Sequence, residues 1–291
     1  MNGQPTVGRA VVSIVEEVRS APVAAPERSR WLDLPPLIWI IRMGGMLALS
    51  ARAAIEFVTP GLSWRRELIL QAIFIFKVAL VPVLLVNFAT GITIGVQVSS
   101  ILSALGAIDR AGGAVPVAFL RELGAFLTAA IIAGSVGATI TSELGARKIR
   151  DELSALEVLG INPVRAMVVP RIVALVLLMP IMNMIALVAG TAGSVIAATV
   201  LYLGTPQAFF DQFLANTNYI DLWASQAKIL IFGLLIGVIA CYKGLNASGG
   251  AEGVGRAVNE SVVASLIAVV GVTIVYTQLL LALYPDISAL R

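Results

Sequence analysis

The chain has 291 residues, of which 58% are hydrophobic and only 13% charged, with a formal net charge of +3. A soluble domain carries roughly 25% charged residues, so this composition excludes an ordinary water-soluble fold and points to an integral membrane protein. A single cysteine, Cys241, and no histidine exclude an internal disulfide and a cysteine-based metal site, and remove the commonest general base.

Residues 1–30 are polar and hold three prolines with no apolar h-region. They predict a cytoplasmic tail rather than a cleavable signal peptide. Residues 31–66 begin with an apolar stretch opened by Pro35-Pro36 and interrupted by Arg42, Arg52 and Glu56. The two arginines and Gly44-Gly45 favour an amphipathic helix lying on the inner leaflet over a sixth span. Residues 67–291 are expected to form a unit of five spans. Charge is absent from Val78 to Ile108, Leu123 to Ser142, Ile172 to Phe210, Ile229 to Tyr242 and Ser261 to Pro285. About 20 apolar residues cross a bilayer. Four of these runs are long enough alone, and the run at Ile229 reaches span length once Leu222–Lys228 is added. The predicted helices cover about 68–99, 116–142, 164–203, 221–242 and 258–284, and no period-2 barrel pattern is present. The fold class expected is therefore all-α.

An odd number of spans puts the termini on opposite sides. With the N-terminus in the cytoplasm, Arg147, Lys148, Arg150, Arg165, Arg171, Lys243 and Arg256 fall inside with the N-terminal arginines. Arg110 and Arg291 fall outside, and Arg121 lies near the outer end of its span. The positive-inside rule favours that orientation in a plasma membrane, with the C-terminus outside. The basic balance then follows from topology, and no nucleic-acid partner is expected.

The segment 121–160 concentrates the informative residues: RELGAFLTAAIIAGSVGATITSELGARKIRDELSALEVLG. Arg121 and Glu122 open an apolar span, where charge is costly and commonly functional. Neighbouring helix positions point about 100° apart, so the two need not pair with each other. They could snorkel, pair with another helix, or hold a polar head group. Residues 143–160 predict one charged amphipathic helix, with Ile149, Leu153 and Leu156 on one face and Arg150, Asp151, Glu152 and Glu157 elsewhere. Gly160 and Asn162-Pro163 would end it. Such a helix serves as a solvated connector or as a docking element for a soluble partner.

Small residues four apart recur at Gly91/Gly95, Ala130/Gly134/Ala138, Ala186/Gly190/Ser194 and Gly233/Gly237. They predict close helix packing or a subunit interface. The glycine-rich stretch 244–256 lacks a P-loop ending and is expected to be a turn between spans. Lys77 and Lys228 are expected to snorkel from span ends. No acid pair, serine–histidine set or ligand cluster stands out in the sequence, so catalysis has little support. An ion-coupled carrier would need mid-span acids, and only Glu122 comes near.

Three features together resemble the MlaE/YrbE permeases of Mce-type lipid ABC transporters. Residues 121–171 match the family's RELGP-like start, AGRVG-like middle, DALEVMG-like helix and PR ending. Residues 228–258 match a second stretch, and the span layout matches as well. Ala125 stands where proline is usual and Ser135 where arginine is usual, so no role of that arginine carries over. The N-terminal extension and the AGSVG variant are similar to the actinobacterial YrbE branch, whose subunits are paired and non-identical.

The resemblance implies an all-α permease with no catalytic residue and no cofactor of its own, ATP and Mg being used by a partner ATPase. It implies a lipid pocket at Arg121, Glu122, Leu123 and Gly95. It implies ATPase coupling through Glu143, Arg147, Arg150, Glu152, Leu153, Leu156, Glu157 and Leu159. The implied partners are a second permease subunit (homo- or heterodimer), a cytoplasmic ABC ATPase, a periplasmic hexamer of Mce-domain proteins, and a membrane lipid.

Overall fold

The computed structural model describes residues 35–58 and 65–284. The expected tail 1–30 lies outside the described residues. Eight helices carry the described chain: α1 (Pro35–Val58) and α2 (Arg65–Ala104), α3 (Ile108–Ile149), α4 (Glu152–Val158), α5 (Val164–Leu201), α6 (Pro206–Asn216), α7 (Tyr219–Leu245) and α8 (Gly250–Leu283). Among the described residues there is no strand. Five helices, α2, α3, α5, α7 and α8, are long and apolar enough to cross a membrane, and α1 is not one of them. The five-span, all-α expectation therefore holds.

Two spans are not uniform α-helix. Helix α3 starts with a 3-10 turn, Ile108–Arg110, and carries π turns at Phe119–Leu123 and Ala133–Gly137. Helix α5 has π turns at Val164–Val168 and Ala197–Leu201. Such insertions occur often at functional positions in helices.

Helix α7 is the axis of the bundle. About 67% of its most apolar stretch is buried, against 6% for α8. It packs on α5, α8 and α3, while α2 lies mainly along α5. The small residues explain how closely these helices approach. A Cβ on Gly91 would lie 2.2 Å from the Gly190 carbonyl oxygen, and one on Gly193 would lie 2.4 Å from the Phe88 carbonyl oxygen. Backbone contact between α2 and α5 is possible only without those side chains. Gly233 and Gly237 press α7 against Met179 and Ile172 of α5 in the same way.

Helix α1 docks beside α7 and the start of α5. Gly45 is needed where it crosses, because a Cβ there would fall 2.5 Å from the Tyr242 hydroxyl. Met43 and Leu47 remain exposed, whereas Leu49, Arg52, Ala53 and Glu56 are buried. Glu56 Oε1 accepts from Asn162 Nδ2 at 2.9 Å, tying α1 to the loop before α5.

The segment 143–160 is not one helix. Residues 143–149 continue α3, with Leu144 fully buried and Gly145 set against Ala247 and Val254. The chain breaks at Asp151, whose φ of 56° is left-handed, and restarts as the short α4. The expected connector splits because its first half packs on α7 and α8 instead of lying free. The predicted end does hold: Gly160 (φ +74°) closes α4, with Ile161 N–H donating to the Leu156 carbonyl at 2.9 Å and Gly160 N–H to that of Glu157. That bond pair is a Schellman ending.

Two further boundaries move. The glycine-rich stretch is mostly helical: α8 begins at Gly250 rather than near 258, and the turn is confined to residues 246–249. The segment after α5, expected as a loop, contains α6. Thr205 caps it, its hydroxyl accepting from Ala208 N–H, and Pro206 occupies the first helical position. Both are legible start signals.

Candidate functional site: a paired-charge cluster and the opposite connector

The Phe119–Leu123 π turn sits three residues after Pro116, within α3. It presents Arg121 and Glu122 to α7. The two do not pair with each other. Arg121 makes a forked contact with Asp221, Nε to Oδ1 at 3.0 Å and Nη2 to Oδ2 at 3.2 Å. Glu122 Oε1 pairs with Lys228 Nζ at 2.9 Å and accepts from the Thr277 hydroxyl of α8 at 2.6 Å. Asp221 and Lys228 are seven residues apart on α7, hence on one face and separated by about 10 Å of rise.

Burial within each pair is unequal. Asp221 and Lys228 side chains are 0% and 2% exposed, while Arg121 and Glu122 are 22% and 36% exposed. Each open charge is thus held by a closed one. Lys228 does not snorkel as the sequence suggested. Its ammonium is sealed by Glu122, the Arg121 carbonyl at 2.9 Å, Thr277 at 3.3 Å and the Tyr276 ring at 5.4 Å. A buried ammonium needs that full set of partners, which is why the side chain stays inside. Asp221 also serves its own helix: with Asn218 it forms the capping box that starts α7. Between Asp221 and Lys228 along α7, Ser225 Oγ accepts from Asn183 Nδ2 at 3.0 Å, linking α5 to α7.

The other expected pocket residues divide. Leu123 packs with Val115, Phe119, Leu120 and Leu187 beside the charged turn. Gly95 lies instead in the α2–α5 seam, where a Cβ would meet Ala197 Cβ at 2.8 Å. Ser135, in the second π turn, gives its hydroxyl to the Ile131 carbonyl at 2.7 Å, and its own carbonyl accepts from Thr139.

At the opposite end of α3, the expected coupling residues also divide. Glu143 faces the bundle, pairing with the buried Arg171 at 2.9 Å, and Arg171 donates to the Met167 carbonyl as well. Leu153 is buried and Leu156 half-buried. Arg150 and Arg147 both approach Glu152, at 2.7 and 3.8 Å. Glu157, Val158 and Leu159 are exposed, Val158 by 88% and Leu159 by 73%. Helix α4 thus carries an open apolar tip on an inward-anchored base.

The model of the permease MlaE family matches residues 68–279. The chain belongs to that family. It is 31% identical to a probable ABC transporter permease protein of Synechocystis, over 80% of this chain and 88% of the other. A probable ABC transporter permease protein of Rickettsia typhi is 29% identical over 81% of this chain and 91% of its own. The chloroplastic protein trigalactosyldiacylglycerol 1 of Arabidopsis thaliana is 26% identical over 90% of this chain and 75% of its own. This MlaE-family chain is therefore a multi-pass, non-enzymatic permease subunit, and the ABC transporter naming of its relatives implies an ATPase partner. The matched region contains both ends of α3, the charge cluster and the connector. Asp221 and Thr277, which complete the cluster, were not among the residues singled out from sequence, and Lys228 was read there only as a snorkelling side chain. A lysine inside an apolar helix, with an acid two turns before it on the same face, was the available signal.

Proposed function

We propose that this permease moves a lipid as part of an Mce-type ABC assembly in a bacterial plasma membrane. The observation that carries the reading is the unequal burial of the two charge pairs. Arg121 and Glu122 keep an open cation and an open anion side by side, each neutralised from behind by α7. Such a surface complements a zwitterionic or polar head group while costing little field in the bilayer. Leu123, Leu127, Ile94 and Val98, partly open and packed on the buried cluster of Phe119 and Leu187, lie beside it for an acyl chain. A relative whose name contains a galactolipid points the same way.

At the other end, the exposed Val158–Leu159 tip of α4 is the surface for the ATPase. The Glu143–Arg171 bridge would pass its displacement into α3 and α5. A second permease subunit and a periplasmic ring of Mce-domain proteins complete the assembly, with the N-terminus cytoplasmic. The ATPase supplies ATP and Mg, and the permease brings no cofactor.

The test separates the two ends. R121M/E122Q in the intact complex should deplete co-purified lipid, scored by mass spectrometry, while ATPase association persists. L159D/E157K should lose the ATPase while retained lipid is unchanged. Undiminished lipid in the first variant together with an intact ATPase complex in the second sinks the reading.

A further inference from the structure

Helix α6 is pinned to the start of α3. A Cβ on Gly112 would fall on the Phe209 carbonyl oxygen, and one on Gly113 would meet the Asn216 amide at 2.8 Å. Phe209 and Asn216 are accordingly buried. The outward arc of α6 is divided lengthwise. Pro206, Phe210 and Leu214 lie within about 80° of one another, and Gln207 and Asp211 occupy the next about 60°. Phe210 is 46% and Leu214 70% exposed, and Gln207 and Asp211 are exposed too.

We infer that α6 lies in the membrane–water boundary at the charge-cluster end of the bundle, its Phe210–Leu214 edge seated in lipid and its Gln207–Asp211 edge in water. The chosen occupant is the acyl–headgroup zone of the leaflet, for three reasons. A helix with one apolar and one polar edge matches the amphipathicity of that zone. The apolar edge also continues the surface of the adjoining spans: Leu201 and Leu203 precede α6, Tyr219 and Trp223 follow it, and all four are open. An exposed tyrosine and tryptophan at the start of a span mark the interfacial level. Because α6 is fixed to the segment leading into the Phe119–Leu123 turn, its seat in the leaflet sets the depth of Arg121 and Glu122. The inference stands on topology and does not require the transported molecule to be a lipid.

Four variants of the full chain, each with one added cysteine, Q207C, F210C, D211C and L214C, test it after bimane labelling and reconstitution in phosphatidylcholine/phosphatidylglycerol nanodiscs. Cys241 is fully buried, and the unsubstituted chain reports any background labelling. Nitroxide-bearing phospholipid should quench positions 210 and 214 about threefold more than 207 and 211, with aqueous iodide giving the reverse order. Iodide quenching of all four positions overturns the inference. So does protection of 210 and 214 from both quenchers, which would mean that protein covers that edge. Phe210 touches the buried Phe209 ring, with centroids 5.7 Å apart, so L214C provides the readout if F210C folds poorly.

Discussion

Removing one member of the Lys228–Glu122 pair tests the energetics of the cluster directly. At 2.9 Å and an effective dielectric near 20, the gross attraction is about 6 kcal/mol. Desolvation of the ammonium consumes most of that, since Lys228 is 1% exposed, and net values for breaking a buried pair run about 3–5 kcal/mol. Glu122 is one-third open to its surroundings, so its carboxylate can be partly rehydrated once Lys228 is gone. K228M is therefore expected at the low end or just below it, about 2–3 kcal/mol. E122Q strands the ammonium, but the glutamine oxygen can still accept from it. Its cost should be about 2 kcal/mol. The double variant K228M/E122Q removes both charges and should be no worse than K228M by more than about 0.5 kcal/mol, a coupling of roughly 1.5–2 kcal/mol. Reversible unfolding in bicelles, read as a double-mutant cycle, measures this. Additive losses, or a K228M cost below about 0.5 kcal/mol, would show that the pair is solvated and refute the argument.

Three other comparisons follow from substitutions at four positions. Gly91→Ala drives a methyl into the Gly190 carbonyl and should destabilise by about 1–3 kcal/mol. Gly134→Ala, with nothing within 4 Å of the new Cβ, should be neutral or stabilising by up to about 1 kcal/mol; thermal scans in detergent compare the two. Asp221→Asn keeps the capping acceptor but loses the charge opposite Arg121, whereas Asp221→Ala loses both. Alanine should therefore cost about 1 kcal/mol more than asparagine in the same unfolding assay. Asp151→Gly relieves the left-handed backbone at the α3–α4 break and should stabilise by up to about 1 kcal/mol, while Asp151→Val should destabilise by a similar amount; protease sensitivity at the break reports both.

The sequence by itself determined the membrane class, the number of spans and the end of α4. These depend on local quantities: runs of uncharged residues against the thickness of a bilayer, and a glycine that can take a positive φ. The Arg121–Glu122 turn was also visible, because charge heading an apolar run is conspicuous on its own. Only the tertiary structure decided where each charge goes. Lys228 and Arg121 both stand near span ends, yet one is sealed by Glu122 and Thr277 and the other remains partly open. That outcome is set by which faces of α3, α7 and α8 meet. The same holds for residues 143–160, whose charge pattern is that of a free amphipathic helix. Leu144 and Gly145 find α7 and α8 and bind the first half into the span, and the break follows at Asp151. Burial of a side chain is a property of its neighbours, and in a bundle those neighbours come from helices far apart in the chain.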